Sequence, residues 1–105
     1  MKKLFYSQFF VAGFNYWEGF EVYDKLKVGA ELKLVREANN AYDPEAVAIY
    51  CEDYKIGYVP RFCNSDISKF LDTGWDNLFE VRIVRFNPEV HPEHQVGVNV
   101  YIKRA

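Results

Sequence analysis

The sequence predicts a mainly β protein, a small barrel of six short strands with one or two helices lying against it. Three observations carry this. Apolar and charged residues alternate with a period of two in several short runs, as half-buried strands require. Single Gly, Asn and Pro residues punctuate those runs at turn positions. Only residues 61–71 carry a helical stripe, with Ile67, Phe70 and Leu71 at i, i+3 and i+4.

Taken in order, residues 7–14 are rich in Phe and Val, bounded by Gly13 and Gly19, and read as the first strand. Residues 21–27 are compatible with a helical turn or a loop, and Val28-Gly29 turns the chain. Residues 31–36 (Glu-Leu-Lys-Leu-Val-Arg) alternate as a half-buried strand. Ala38-Asn39-Asn40-Ala41 is a turn, because Asn tolerates positive φ. Asp43-Pro44-Glu45 has the form of a helix start, an N-cap, then Pro, then an acid. It is cut short because residues 47–50 form a strand. Cys51-Glu52-Asp53 reverses the chain and residues 54–59 return as a hairpin that Pro60 ends. Asn64, Ser65 or Asp66 caps the helix, and Gly74 lies just past its end. Residues 78–86 form a strand with Glu80, Arg82 and, less regularly, Arg85 outward; 87–95 is a loop; 96–103 is the last strand. Six short strands and a helix fit an OB/SH3-like barrel, which removes exposed sheet edges.

At 105 residues and 12.4 kDa the chain is the size of one domain, spanning 1–105. Half of the residues are hydrophobic and 27% are charged, enough apolar surface to fold around a core. Nine Phe, eight Tyr and two Trp exceed what such a core needs, so some aromatics face a ligand. The net charge of −2 argues against a protein that coats duplexes, which needs a basic surface to displace counterions. No apolar run spans a bilayer, so no membrane partner is expected. The first residues start like a signal peptide, but Ser7 and Gln8 break the run and no small-residue cleavage site follows. A cytoplasmic location is therefore expected. Cys51 and Cys63 are then two reduced, partly buried thiols.

No nucleophile elbow, phosphate-cradling glycine loop or zinc-spaced cysteine pair is present. His91 and His94 lie three apart, and a metal would need two further ligands, such as Cys51 and Cys63, that nothing in the sequence brings to them. They read as part of a solvated loop. No catalytic residue, metal or cofactor is expected, and the chain is not read as an enzyme.

Four motifs occur in order between Gly13 and Arg61. They are Gly13-Phe14-Asn15-Tyr16-Trp17, then Leu34-Val35-Arg36-Glu37, then Asn39-Asn40-Ala41-Tyr42-Asp43-Pro44-Glu45-Ala46-Val47-Ala48-Ile49, then Ile56-Gly57-Tyr58-Val59-Pro60-Arg61. This pattern resembles the HIRAN domain, named from eukaryotic fork-remodelling ATPases of the SWI/SNF type and also found in stand-alone bacterial proteins. The resemblance extends over nearly the whole chain. It implies a small β-barrel that binds the 3′ end of single-stranded DNA in repair or replication-fork processing. A separate ATPase, helicase or nuclease chain would supply any motor. Carried over by motif, the implied site residues are Asn15, Tyr16, Asn40, Tyr42, Asp43, Tyr58 and Arg61. The chain departs from the eukaryotic remodeller at two of these places, where Asn15 stands for an arginine and Tyr58 for a histidine, and Ala41 beside them replaces a proline common in the family. The family's C-terminal base-stacking aromatic has no assigned counterpart at Phe86 or in the loop after it.

The implied roles are physically coherent. Tyr16 and Tyr42 lie near turns and can offer their rings to bases. A carboxylate at Asp43 repels phosphate but accepts a hydrogen bond from a free hydroxyl. Arg61 suits a phosphate, and Lys33, Arg36 or Lys69 would add positive field. Read without the resemblance, Asp43 caps the turn at Pro44, the tyrosines are core aromatics with wet hydroxyls, and Glu37 pairs with Arg36 or Arg61. The acidic balance and Asn15 favour an alternative function, a protein–protein interaction or regulatory module that keeps the fold without DNA binding.

Overall fold

The computed structural model describes residues 3–103. Strands β5 (Phe79–Phe86) and β6 (Val96–Lys103) are the clearest products of alternation: Phe79, Val81 and Ile83 face inward from one, Val96, Val98 and Val100 from the other. They pair antiparallel, with Val81 opposite Val100 and Ile83 opposite Val98. β1 (Lys3–Phe10) adds to the far side of β6, and β2 (Glu31–Arg36) to β5. β3 (Val47–Cys51) and β4 (Tyr54–Tyr58) continue from β2, giving the order β1-β6-β5-β2-β3-β4.

The two ends of this curled sheet meet at one residue pair. Ala12, just past β1, and Tyr58, at the end of β4, exchange both backbone hydrogen bonds at 2.9 Å. The expected barrel is thus loose, closed at a point rather than along a ladder. Gly57 makes that point possible. Its φ is +154°, and a Cβ there would lie 2.5 Å from the Ala12 carbonyl oxygen and 2.4 Å from Val11 Cγ1.

Strand β1 starts four residues earlier than its composition suggests and ends at Phe10. The stretch that begins like a leader is an edge strand with Leu4 and Phe5 largely exposed, a placement set by pairing with β6 near the other end of the chain. Ahead of the helix, Pro60 accepts a hydrogen bond from the Cys63 backbone, so residues Arg61–Cys63 form a 3-10 turn and α1 runs only over Ser65–Asp72. Ile67 and Leu71 are buried as the stripe predicts, whereas Phe70 stays half out, edge-on to Phe79. Further 3-10 turns cover Phe14–Tyr16, Gly19–Lys25 and Pro92–His94. The last lies in the expected loop, where the His91 ring nitrogen Nδ1 caps the turn by accepting from the Glu93 backbone. Among the described residues no helix is long and apolar enough to cross a membrane, and no His, Cys, Asp or Glu cluster could hold a metal. Cys51 is buried and Cys63 half-buried as free thiols, and burial pushes the Cys63 thiol up to about 11.

Candidate functional site

Between β2 and β3 the chain must cross from Arg36 to Val47 without a regular element, and side chains hold it in shape. Asn40 does most of this. Its Oδ1 accepts from the backbones of Tyr42 (2.8 Å) and Asp43 (3.0 Å), and its Nδ2 donates to Glu37 (3.1 Å) and the Tyr58 hydroxyl (3.4 Å). All four hydrogen-bonding positions of the amide are filled, so Asn40 shapes the loop rather than reading a ligand. Arg36 clamps the other side of the loop, donating to the carbonyls of Pro44 (2.6 Å) and Ala46 (2.9 Å) while pairing with Asp72 of α1. Its guanidinium is spent on the loop backbone and on Asp72.

The loop thereby hangs over the Ala12–Tyr58 closure and encloses a cavity of about 430 Å³. Its walls are Ala12, Gly13, Trp17, Asn40, Ala41, Tyr42, Asp43, Ala46, Tyr58, Val59 and Arg61. The size is that of a small-molecule or single-nucleotide site, and most of the wall is apolar. Tyr42 is 87% exposed, so it is not a core aromatic.

Asp43 sits in the wall with its carboxylate partly open. Oδ1 accepts from the Glu45 backbone at 2.9 Å, the turn cap that the Asp-Pro-Glu motif predicts. Oδ2 accepts from Asn64 Nδ2 at 2.9 Å and lies 3.6 Å from Arg61 Nε. Asn64 has therefore turned its amide away from capping α1 and toward the loop. Two carboxylate oxygens offer about four acceptor positions, so Asp43 retains capacity for one more donor. Arg61 is well exposed and donates to the Tyr42 carbonyl at 2.7 Å, leaving other guanidinium hydrogens free.

Beneath the cavity lies a polar cluster that motif reading does not assemble. The Tyr58 hydroxyl donates to Glu37 Oε1 (2.7 Å) and accepts from Lys55 (2.9 Å) and Asn40. Lys55 Nζ also donates to Glu37 Oε2 at 2.6 Å and stands 3.9 Å from the centre of the Trp17 ring. Glu37 thus pairs with Lys55, not with Arg36 or Arg61. Burial pushes the Glu37 carboxyl up, but hydrogen bonds from Lys55, Tyr58 and Asn40 outweigh it and hold it below its ordinary value. Burial likewise lowers Lys55, and its bonds to Glu37 and Tyr58 more than reverse that. Because its hydroxyl is fully engaged, Tyr58 presents only its ring to the cavity, edge-on to Trp17 at 5.7 Å.

Of the residues singled out in the sequence, the fold brings Asn40, Tyr42, Asp43, Tyr58 and Arg61 into one cavity wall. Asn15 and Tyr16 lie in the 3-10 turn beside it, both exposed and outside the wall; Tyr16 reaches within 3.9 Å of where a Gly13 side chain would begin. Lys33 and Lys69 stand away from the wall. Trp17 and Glu37 occur within the quoted motifs, but their partner Lys55 carries no sequence signal, because only the β3–β4 hairpin delivers it. Phe86 is half-buried and makes T-shaped contacts with Phe14 and Tyr23.

No curated protein matches the sequence. Two solved structures share the fold. One is a Lactobacillus plantarum protein from a structural genomics programme, 19% identical with a TM-score of 0.77, covering 96% of this chain and 95% of that one. The other is the HIRAN domain of human HLTF, 14% identical with a TM-score of 0.70, covering 95% and 78%. The HIRAN domain family model matches residues 4–104, which include every wall residue of the cavity. The chain therefore belongs to the HIRAN domain family, whose members are in general DNA-binding modules.

Proposed function

We propose that the cavity holds the 3′-hydroxyl end of single-stranded DNA, so that the domain marks strand ends for a separate ATPase, helicase or nuclease chain in repair or fork processing. One observation carries the reading: a partly open carboxylate, Asp43, set in an apolar wall between an exposed aromatic, Tyr42, and an exposed cation, Arg61. A base stacks on the Tyr42 ring, Arg61 takes a phosphate, and the terminal hydroxyl donates to Asp43. A terminal phosphate is refused because it brings like charge and has no proton to give.

The test is competition between oligonucleotides ending in 3′-hydroxyl and 3′-phosphate. A charge-assisted hydrogen bond contributes about 1.5–3 kcal/mol, so the hydroxyl end should win by about tenfold or more. Asp43→Asn keeps an acceptor for the Glu45 backbone and should lose most of that preference while retaining affinity. Equal binding of both ends by the wild-type protein leaves Asp43 as a turn cap only. In the same assay Tyr42→Ala should weaken binding by about 1–3 kcal/mol with no loss of melting temperature, since the ring is nearly all solvent-facing. No binding of any single strand would favour a protein-interaction module instead.

A further inference from the structure

We infer that a second groove on the outer face of β1, β6 and β5 carries the nucleotides that precede the strand end. The inference rests on the proposed reading of the cavity and extends it. The groove, about 340 Å³, is lined by Gln8, Phe9, Phe10, Phe62, Val84, Arg85 and Gly97. Its construction is specific. A register shift between Ile83 and Arg85 in β5 sets Arg85 opposite Gly97 of β6. Gly97 has no side chain to fill the space. A Cβ there would lie 3.4 Å from Arg85 Cβ and 3.5 Å from the Phe10 ring, so the glycine forms a floor with the arginine stem on one side and the phenylalanine on the other.

Phe62 completes the groove. It is 85% exposed, directly follows Arg61 of the cavity wall, and no aromatic pair among the described residues involves it. Held out on a tight 3-10 turn, the ring keeps its faces open to a stacking partner. Arg85 is likewise exposed and makes no ion pair or side-chain hydrogen bond among the described residues, unlike Arg36, Arg61 and Arg82. A free cation in a groove with an exposed ring suits a single strand, a face for a base and a charge for a phosphate, while Phe10, in edge contact with His94, forms a further wall. The occupant follows from that charge complementarity and from continuity. Arg61 of the cavity wall and Phe62 of the groove are consecutive residues of one 3-10 turn, so the path from cavity to groove passes over that turn.

The experiment measures affinity of 3′-hydroxyl oligothymidylates of two, four and six nucleotides for the wild-type protein, Phe62→Ala and Arg85→Gln. The wild-type protein should gain about fivefold or more between two and six nucleotides, and Phe62→Ala should erase that gain without changing dinucleotide affinity. Arg85→Gln should flatten the salt dependence of the six-nucleotide strand by about 0.7 in log–log slope, one phosphate's share, and leave the dinucleotide unaffected. Unaltered melting curves are expected for both variants, since both side chains are exposed. Affinity that does not grow with length, or that Phe62→Ala lowers equally at every length, overturns the groove while the cavity reading stands, provided Tyr42→Ala still weakens binding at every length. Failure of every length to bind overturns both.

Discussion

Gly57→Ala should destabilise the protein by about 3 kcal/mol or more, because it combines a strained backbone angle with a clash that cannot relax cheaply. The new methyl group would meet the Ala12 carbonyl at 2.5 Å, and that carbonyl is half of the single residue pair closing β1 onto β4. Either the pair parts or β4 shifts, and both open the cavity wall that Ala12 and Tyr58 build. In a domain of this size the loss should lower Tm by roughly 12 °C or more. Gly74→Ala separates the two contributions. Gly74 also has positive φ, +89°, but nothing lies within 4 Å of its missing Cβ, so only the backbone penalty of about 1–2 kcal/mol applies. If thermal melts show equal losses for the two variants, the point closure contributes nothing to stability.

Glu37→Gln should cost about 1–3 kcal/mol and should also weaken oligonucleotide binding, although Glu37 does not line the cavity. The carboxylate takes hydrogen bonds from Lys55, Tyr58 and Asn40 at once. An amide can serve only part of that set and leaves a half-buried ammonium without its counter-charge. The rings of Tyr58 and Trp17, positioned through Lys55, then lose their fixed orientation. Lys55→Met and the double variant complete a cycle that isolates the coupling; additive losses would mean that the pair contributes no joint stabilisation.

The pH dependence of this cluster has a defined sign. Glu37 is held below its ordinary 4.5 in the folded protein, so its stabilisation is complete above that pH and disappears as pH falls through the depressed value. Lys55 is raised above its ordinary 10.5, so its contribution is complete below 10.5 and is lost as pH rises through the raised value. The stability gap between wild type and Glu37→Gln should therefore stay flat from about pH 5 to 10 and narrow toward acid, as chemical denaturation across that range would record.

Much of the fold is local and legible in the sequence. β2, β6 and the β3–β4 hairpin follow from alternation and turn residues, because burying one face of a strand forces a period of two on its sequence. The Asn-Asn-Ala-Tyr-Asp loop was equally legible, since Asn and Asp write their turn chemistry into neighbouring residues. The early start of β1 was not, because Lys3, Leu4 and Phe5 are all exposed, so no buried face imposes alternation there, and the partner β6 is distant in sequence. Nor was the break between Arg61 and Ser65, where Asn64 turns toward Asp43, 21 residues away, instead of capping the helix. The site divides along the same line. The sequence by itself singled out Tyr42, Asp43 and Arg61, which the fold brings into one cavity wall, because all three are set by one loop and the turn after the hairpin. Only the tertiary structure decided that Asn40 and the Tyr58 hydroxyl are spent internally, that Lys55 grips Trp17, and that Phe62 and Arg85 share a groove. Those facts depend on hydrogen bonds and close approaches between strands distant in sequence, and a hydrogen-bonding position that is already filled looks the same in sequence as one that is free.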